Sequence, residues 1–282
     1  MRRGELPRGP VPIDTGTVEL RPSPDSPHGV LVLVNGTESS YLDLADPAWL
    51  EFEYMQQMMA VIDVVLPAPA PLRAIHLGAA GCALPRAIDA ARPGSRQLAV
   101  EIDGALAACA RAWFALPPAP RLRLRVADAR TVVEGLRPAS QDVVVRDVFA
   151  GADVPEHVRT VEFAQLVARS LRPGGLYLAN MADYPPLLKS RSDAAALAAA
   201  FPCTAVIAEP AILRGRRYGN VVLVASGAPL PVGRLERALR SLPQPVRLLV
   251  EEDLVRFRGS TPAPADAVLP DTRGDALADT GR

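Results

Sequence analysis

Lysine is almost absent from this chain. Of its 31 basic residues only Lys189 is not arginine, and with 29 prolines and abundant alanine this reads as a coding bias that carries no function. Neither sign of charge is in excess: 31 acidic residues balance the 31 basic ones, which leaves no electrostatic footprint for nucleic acid or an anionic membrane surface. Cysteine is scarce as well. Cys82, Cys109 and Cys203 lie far apart without C-x-x-C spacing, which excludes a disulfide scaffold or zinc knuckle and predicts reduced thiols in a cytoplasmic protein. The three histidines, His28, His76 and His157, are scattered, so neither a Ser-His-Asp constellation nor a metal site can be assembled from them. No apolar run approaches the roughly 18 residues a membrane span needs. The charged start MRRGELPRGPVP is followed by no apolar segment of the kind a signal peptide carries.

What is there belongs to a packed globular protein, with 49% hydrophobic and 22% charged residues. Residues 1–15 and 259–282 are rich in Pro, Gly, Asp, Thr and Ala without apolar periodicity and are expected as flexible tails. Residues 16–66 read as an N-terminal unit. There VELRPS, GVLVLVNG and SSYLDLA alternate apolar and polar residues around the turn Asn35-Gly36, predicting a small antiparallel β unit. DPAWLEFEYMQQMMAVIDVVLP predicts a linking helix, with Asp46 as N-cap and Pro47 at its first position. Residues 67–258 then alternate short apolar strands (73–78, 97–102, 121–127, 142–148, 174–181, 203–209 and 218–226) with helices (82–92, 103–115, 156–172 and 185–200). That alternation predicts an α/β fold with a Rossmann-like parallel sheet covered on both faces and one of the last two strands antiparallel.

In such a sheet a ligand binds in the crevice beyond the carboxyl ends of the strands. Gly78, in HLGAAGCALP, permits close backbone approach at the first turn, and the following helix points its amides into the crevice. A tight turn packed with small residues would look the same. Glu101 ends the second strand roughly 20 residues further on, where an acid can hold both hydroxyls of a ribose. Its alternative is a solvated charge or a cap on the next helix, a role also open to Asp103. In VADAR, Asp128 can accept from an adenine amino group while the amide of Ala129 reads the ring, or it can cap the helix beginning near Arg130. His76, inside the first strand, is expected in the core, and His157 at a helix start beside the crevice.

These strand ends, HLGAAG, AVEID, VADAR, DVVVRDVFAGADVP, LRPGGLYLAN and YGNVVLVAS, preceded by NGTESSYLDLADPAWLEFEYMQ, resemble the spermidine synthase-like family, on the class I S-adenosylmethionine methyltransferase fold. AVEID and LRPGG are shared with methyltransferases at large, whereas the N-terminal block and the acidic loop after the fourth strand are more specific. The resemblance implies a transferase using S-adenosylmethionine or decarboxylated S-adenosylmethionine as co-substrate, with a small-molecule acceptor and no metal. It allows a homodimer through the N-terminal β unit. Residue by residue, it puts the ribose acid on Glu101, the adenine-contacting acid on Asp128 and the acid beside the attacking amine on Asp147.

The amine half departs from the family. Its glycine box, Gly-Gly-Gly-Asp-Gly-Gly, here reads Gly78-Ala79-Ala80-Gly81-Cys82-Ala83, so Gly81 stands where the family's Asp holds the donor's ammonium. Its Asp-x-x-Asp becomes Asp147-Val148-Phe149-Ala150, and Asp153 replaces the second acid only along a different loop path. Ammonium groups are costly to desolvate without carboxylates to receive them, so aminopropyl transfer to putrescine is disfavoured. Methyl transfer from intact S-adenosylmethionine to a small molecule, or a non-catalytic homologue, stays open.

Overall fold

A computed structural model describes residues 6–151 and 153–267, and among these the predicted alternation builds two sheets. The smaller is an antiparallel meander in the order β1 (Val11–Ile13), β2 (Gly16–Pro22), β3 (Gly29–Val34) and β4 (Thr37–Asp43). Asn35 and Gly36 join β3 to β4 at φ of 51° and 79°, the left-handed pair that an Asn-Gly hairpin turn requires. The chain before residue 16, read from sequence as a tail, supplies β1 and is tied to the larger sheet. Asp103 accepts from the Asp14 amide (3.2 Å), the Thr15 amide (2.7 Å) and the Thr15 hydroxyl (2.7 Å).

The linking helix starts later than its sequence predicts. It is α1 (Glu53–Val65), with Phe52 at its N-cap and no side-chain cap. Asp43 and Asp46 instead fold the residues before it into consecutive turns, Asp43 accepting from the amides of Ala45 and Asp46, and Asp46 from that of Ala48. An aspartate that satisfies an amide two residues on competes with helix formation, and here the turn wins.

The larger sheet has eight strands in the order β12-β10-β11-β9-β8-β5-β6-β7. β5 (Arg73–Leu77), β6 (Arg96–Glu101), β7 (Leu122–Val126), β8 (Gln141–Arg146) and β9 (Leu171–Asp183) run parallel. β11 (Gly219–Ser226) is antiparallel to β9, and β10 (Cys203–Ala208) to β11. Helices α2 (Ala83–Ala91), α3 (Gly104–Trp113), α4 (Ala129–Glu134), α5 (Val161–Ser170) and α6 (Leu188–Ala200) connect the strands, with a short α7 (Pro210–Leu213) before β11. α8 (Val232–Arg240), β12 (Arg247–Leu249) and α9 (Glu251–Arg258) lie where no element is predicted. Beyond α9 the chain is described to Ala267. It is held by Pro262 and Pro264 carbonyls bonded to Ser192 and Val161 and by Asp266 paired with Arg130. Residues 268–282 of the expected tail, and 1–5 of the other, lie outside the described residues.

Alternation along the strands decides what faces the site. Val143, Val145, Leu176, Leu178, Val222 and Val224 join a core shared with α1, α2 and the small sheet. Val144, Tyr177, Ala179, Val221 and Leu223 join the core on the opposite face, against α5 and α6. The period of two therefore carries Asp147, Asn180 and Asn220, just beyond the apolar run, onto the α1 side of the sheet.

Candidate functional site

The crevice opens where β5 has β6 on one side and β8 on the other, the switch point of the parallel order. Its floor is the turn after β5. Gly78 donates to Val100 and has φ of 85°, and a Cβ there would lie 2.1 Å from the carbonyl oxygen of Asp147, so only glycine fits. Ala80 and Cys82 also take left-handed φ, 38° and 60°. Cys82 thus holds a left-handed conformation that favours glycine while carrying a side chain, a strain of about 1–2 kcal/mol. The Cys82 thiol is buried at the N-cap of α2, and that burial pushes it up to about 12.

On one side of the crevice stand the expected nucleoside residues. Glu101 Oε2 accepts from the amides of Ala79 and Ala80, both at 3.1 Å, and Oε1 from the amide of Asp103 at 3.2 Å. Asp103 takes the capping role, accepting from the Leu106 amide at 2.7 Å. Asp128 caps α4 through the Thr131 amide at 2.9 Å, and its other oxygen meets His157 Nε2, also at 2.9 Å. Partial burial would raise the Asp128 carboxyl, but the Thr131 amide and His157 outweigh it and hold it below the usual range. Ala129 is buried beside it. Two large apolar side chains, Ile102 and Val126, stand 64% and 57% exposed at the ends of β6 and β7, flanking Glu101 and Asp128.

The other side is assembled from remote segments. Tyr54, on the first turn of α1, donates its hydroxyl to Asp147 Oδ2 at 2.8 Å, and Asn180 Nδ2 donates to Oδ1 at 3.0 Å. Desolvation raises the Asp147 carboxyl above the usual carboxylate range despite the hydrogen bonds from Asn180 and Tyr54 and the charge of Arg146. Tyr54 is driven well above its ordinary value by burial and by the Asp147 charge. Arg146, fully buried behind this point, pairs with the buried Asp193 at 2.6 Å, which also takes Arg159 at 2.7 Å, so the end of β8 is anchored by a buried ionic network.

Gly81 lies against the small sheet. It donates to Ser40 Oγ at 3.2 Å, and a Cβ on it would stand 2.7 Å from Leu42 Cδ1 and 2.8 Å from Ser40 Cβ. Asp153 is 68% exposed at its side chain and paired with Lys189. His76 is a core residue as expected, bonded to Gln97 at 2.9 Å and lowered by burial to about 4.

All five residues singled out from sequence, Gly78, Glu101, Asp128, Ala129 and Asp147, sit at the carboxyl edge of the parallel strands. Asn180, Ser40 and Leu42 escaped sequence reading because only tertiary pairing brings them to the crevice. Tyr54 lies within the predicted linking helix, where the sequence assigns it no role of its own.

No family model matches the chain. The solved structure of a probable spermidine synthase from Corynebacterium glutamicum ATCC 13032 is 36% identical with a TM-score of 0.88, covering 94% of this chain and 99% of that one. Human methyltransferase-like protein 13, solved in complex with SAH, is 26% identical with a TM-score of 0.54, over 68% of this chain and 94% of that one. The polyamine aminopropyltransferase of Vibrio vulnificus (strain CMCP6) is 32% identical over 114 residues, 40% of this chain and 38% of that relative, so the match spans well under half of the curated relative.

Proposed function

The chain belongs to the spermidine synthase-like family, and from that premise we propose that its crevice binds an adenosyl sulfonium nucleoside and transfers a carbon group from it to an amine. The observation that carries this reading is the half-buried Tyr54–Asp147–Asn180 network facing the Gly78 turn, opposite Glu101 and Asp128. The donor is S-adenosylmethionine or its decarboxylated form, whose sulfonium makes the adjacent carbon electrophilic.

Glu101 keeps acceptor capacity on Oε1, which takes one amide, and so can receive ribose hydroxyls while Oε2 holds the turn. Ile102 and Val126 offer exposed apolar surface for a flat base, and Asp128 its amino-group acceptor. Asp147, its carboxyl raised by desolvation and fixed by two donors, takes the proton that the acceptor amine loses as its nitrogen bonds the carbon. The carbon–sulfur bond breaks in the same displacement and leaves a neutral thioether nucleoside.

A second reading, methyl transfer from intact S-adenosylmethionine, is favoured by Gly81. Ser40 and Leu42 fill the space an acid would need there, so nothing at that position repels the donor's carboxylate. Calorimetry with S-adenosylmethionine, its decarboxylated form and methylthioadenosine separates the readings. Glu101→Ala should weaken whichever nucleoside binds by about tenfold or more, since a charged hydrogen bond is lost and the turn loosens. Wild-type protein that binds none of the three refutes the nucleoside assignment, and preference for the full carboxylate puts methyl transfer first.

A further inference from the structure

The amine side of the crevice lacks two acids of the family pattern, but α1 brings in another. Glu53 is the residue before Tyr54 at the start of α1, and its Oε1 lies 3.5 Å from Nδ2 of Asn220 on β11. Asn220 stands two residues along β11 from Val222, which pairs with Asn180, the residue that donates to Asp147, so Glu53 reaches the strand pair beside the transfer point.

An acidic pair alone would carry little, yet the groups beside it are unsatisfied. Asn180 is 1% exposed and gives its amide nitrogen to Asp147, while its Oδ1, on that same amide, has no partner among the described residues. Gln57 follows Glu53 by four residues on the same helical face, is 2% exposed, and its Oε1 is also unpaired. A buried acceptor without a donor costs about 1–3 kcal/mol. An unpaired acceptor on the amide that holds Asp147, with Glu53 at the neighbouring strand pair, asks for a ligand rich in N–H donors and positively charged, which an alkylammonium is and a neutral alcohol or a carboxylate is not.

We infer that Glu53 is the amine-recognition residue of this chain, receiving the far ammonium of a diamine-like acceptor whose other nitrogen stands at Asp147. The assignment rests on the proposed function only in taking Asp147 as the transfer point. Glu53 restores from helix α1 a second carboxylate lost at Ala150 in the loop after β8. The side chain lies on a different element, so the acceptor's length and direction need not match those of putrescine.

The test is calorimetric titration of putrescine and of n-butylamine into wild type, Glu53→Gln and Glu53→Ala, each with and without saturating methylthioadenosine. Wild type should bind putrescine more tightly than n-butylamine. Glu53→Gln should weaken putrescine by about tenfold, the scale of one charged hydrogen bond, and n-butylamine by less than about threefold. Methylthioadenosine affinity should be unchanged in both variants. Equal loss for both amines, no loss, or no amine binding to wild type overturns the assignment to Glu53. Failure of the nucleoside alone strikes the proposed function and leaves the amine titration to decide Glu53.

Discussion

The two sides of the crevice are made in different ways. On the Glu101 and Asp128 side each acid accepts from backbone amides of its own or the neighbouring strand-end turn: Ala79, Ala80 and Asp103 for Glu101, Thr131 for Asp128. On the Asp147 side the partners come from 93 residues upstream at Tyr54 and 33 downstream at Asn180, and Gly81 is met by Ser40 from 41 residues away. The first side is built from strand-end turns that the parallel sheet itself brings together. The second depends on how the small sheet and α1 dock onto it, and that is where this chain departs from its family's pattern.

The largest test of that contrast is Asp147→Asn, which keeps the shape of the side chain while removing the base. Transfer should fall by about 100-fold or more, with nucleoside affinity held because Glu101 and Asp128 are untouched. Stability adds an independent signature. The folded-state carboxyl of Asp147 is raised, so the folded chain binds its proton more tightly than the unfolded chain does. The stability this contributes is present below the ordinary aspartate value of about 3.9 and is lost as pH rises through the raised folded value. Asparagine does not titrate there, so wild type should lose stability relative to the variant as pH rises. Urea melts of the two proteins at pH 4 and at pH 7 measure this; a difference that does not change with pH means the carboxyl is not raised.

The same contrast explains what could be read from the chain alone. Gly78, Glu101 and Asp128 follow short apolar strands at fixed offsets, and their hydrogen bonds are set largely by local backbone, so pattern and spacing are enough to place them at the carboxyl edge of the sheet. Asp147 was found for the same reason. Its expected role beside the attacking amine comes from the family resemblance, whereas its pairing with Tyr54 and Asn180 is a product of strand order and helix docking and is not legible in the chain alone. The start of α1 was misplaced because Asp43 and Asp46, good capping residues, close turns instead. α8, β12 and α9 were not predicted at all. β12 has three residues, too few to show a period of two, and it is defined by its pairing with β10.

Gly81→Asp asks whether the family's missing acid can be put back. A Cβ at 81 meets Leu42 Cδ1 at 2.7 Å and Ser40 Cβ at 2.8 Å, so the small sheet must shift before any carboxylate is accommodated. We expect a loss of about 1–3 kcal/mol, the usual cost of overpacking a filled site, without gain in affinity for decarboxylated S-adenosylmethionine. Adding Leu42→Ala should recover part of the space and bring out the donor preference that the single change hides. Chemical denaturation of both proteins reads the cost. A Gly81→Asp variant as stable as wild type would show that the two sheets are not fixed against one another at this point.

The smallest expected effect concerns the nucleoside side, where His157 intrudes on an otherwise local arrangement. Its Nε2 meets the Asp128 oxygen left free by the Thr131 cap, the oxygen that an adenine amino group would need. The side chains of His157 and Asp128 are 47% and 34% exposed, so the pair contributes at most about 1 kcal/mol to folding. Its removal should be felt more in binding than in stability. His157→Ala frees that oxygen, and methylthioadenosine should bind up to about threefold more tightly, because the ligand no longer displaces a hydrogen bond worth a fraction of that energy. Weaker binding would give the opposite result: His157 would then be a contact of the nucleoside rather than its competitor, and this side of the crevice too would depend on a segment remote in sequence.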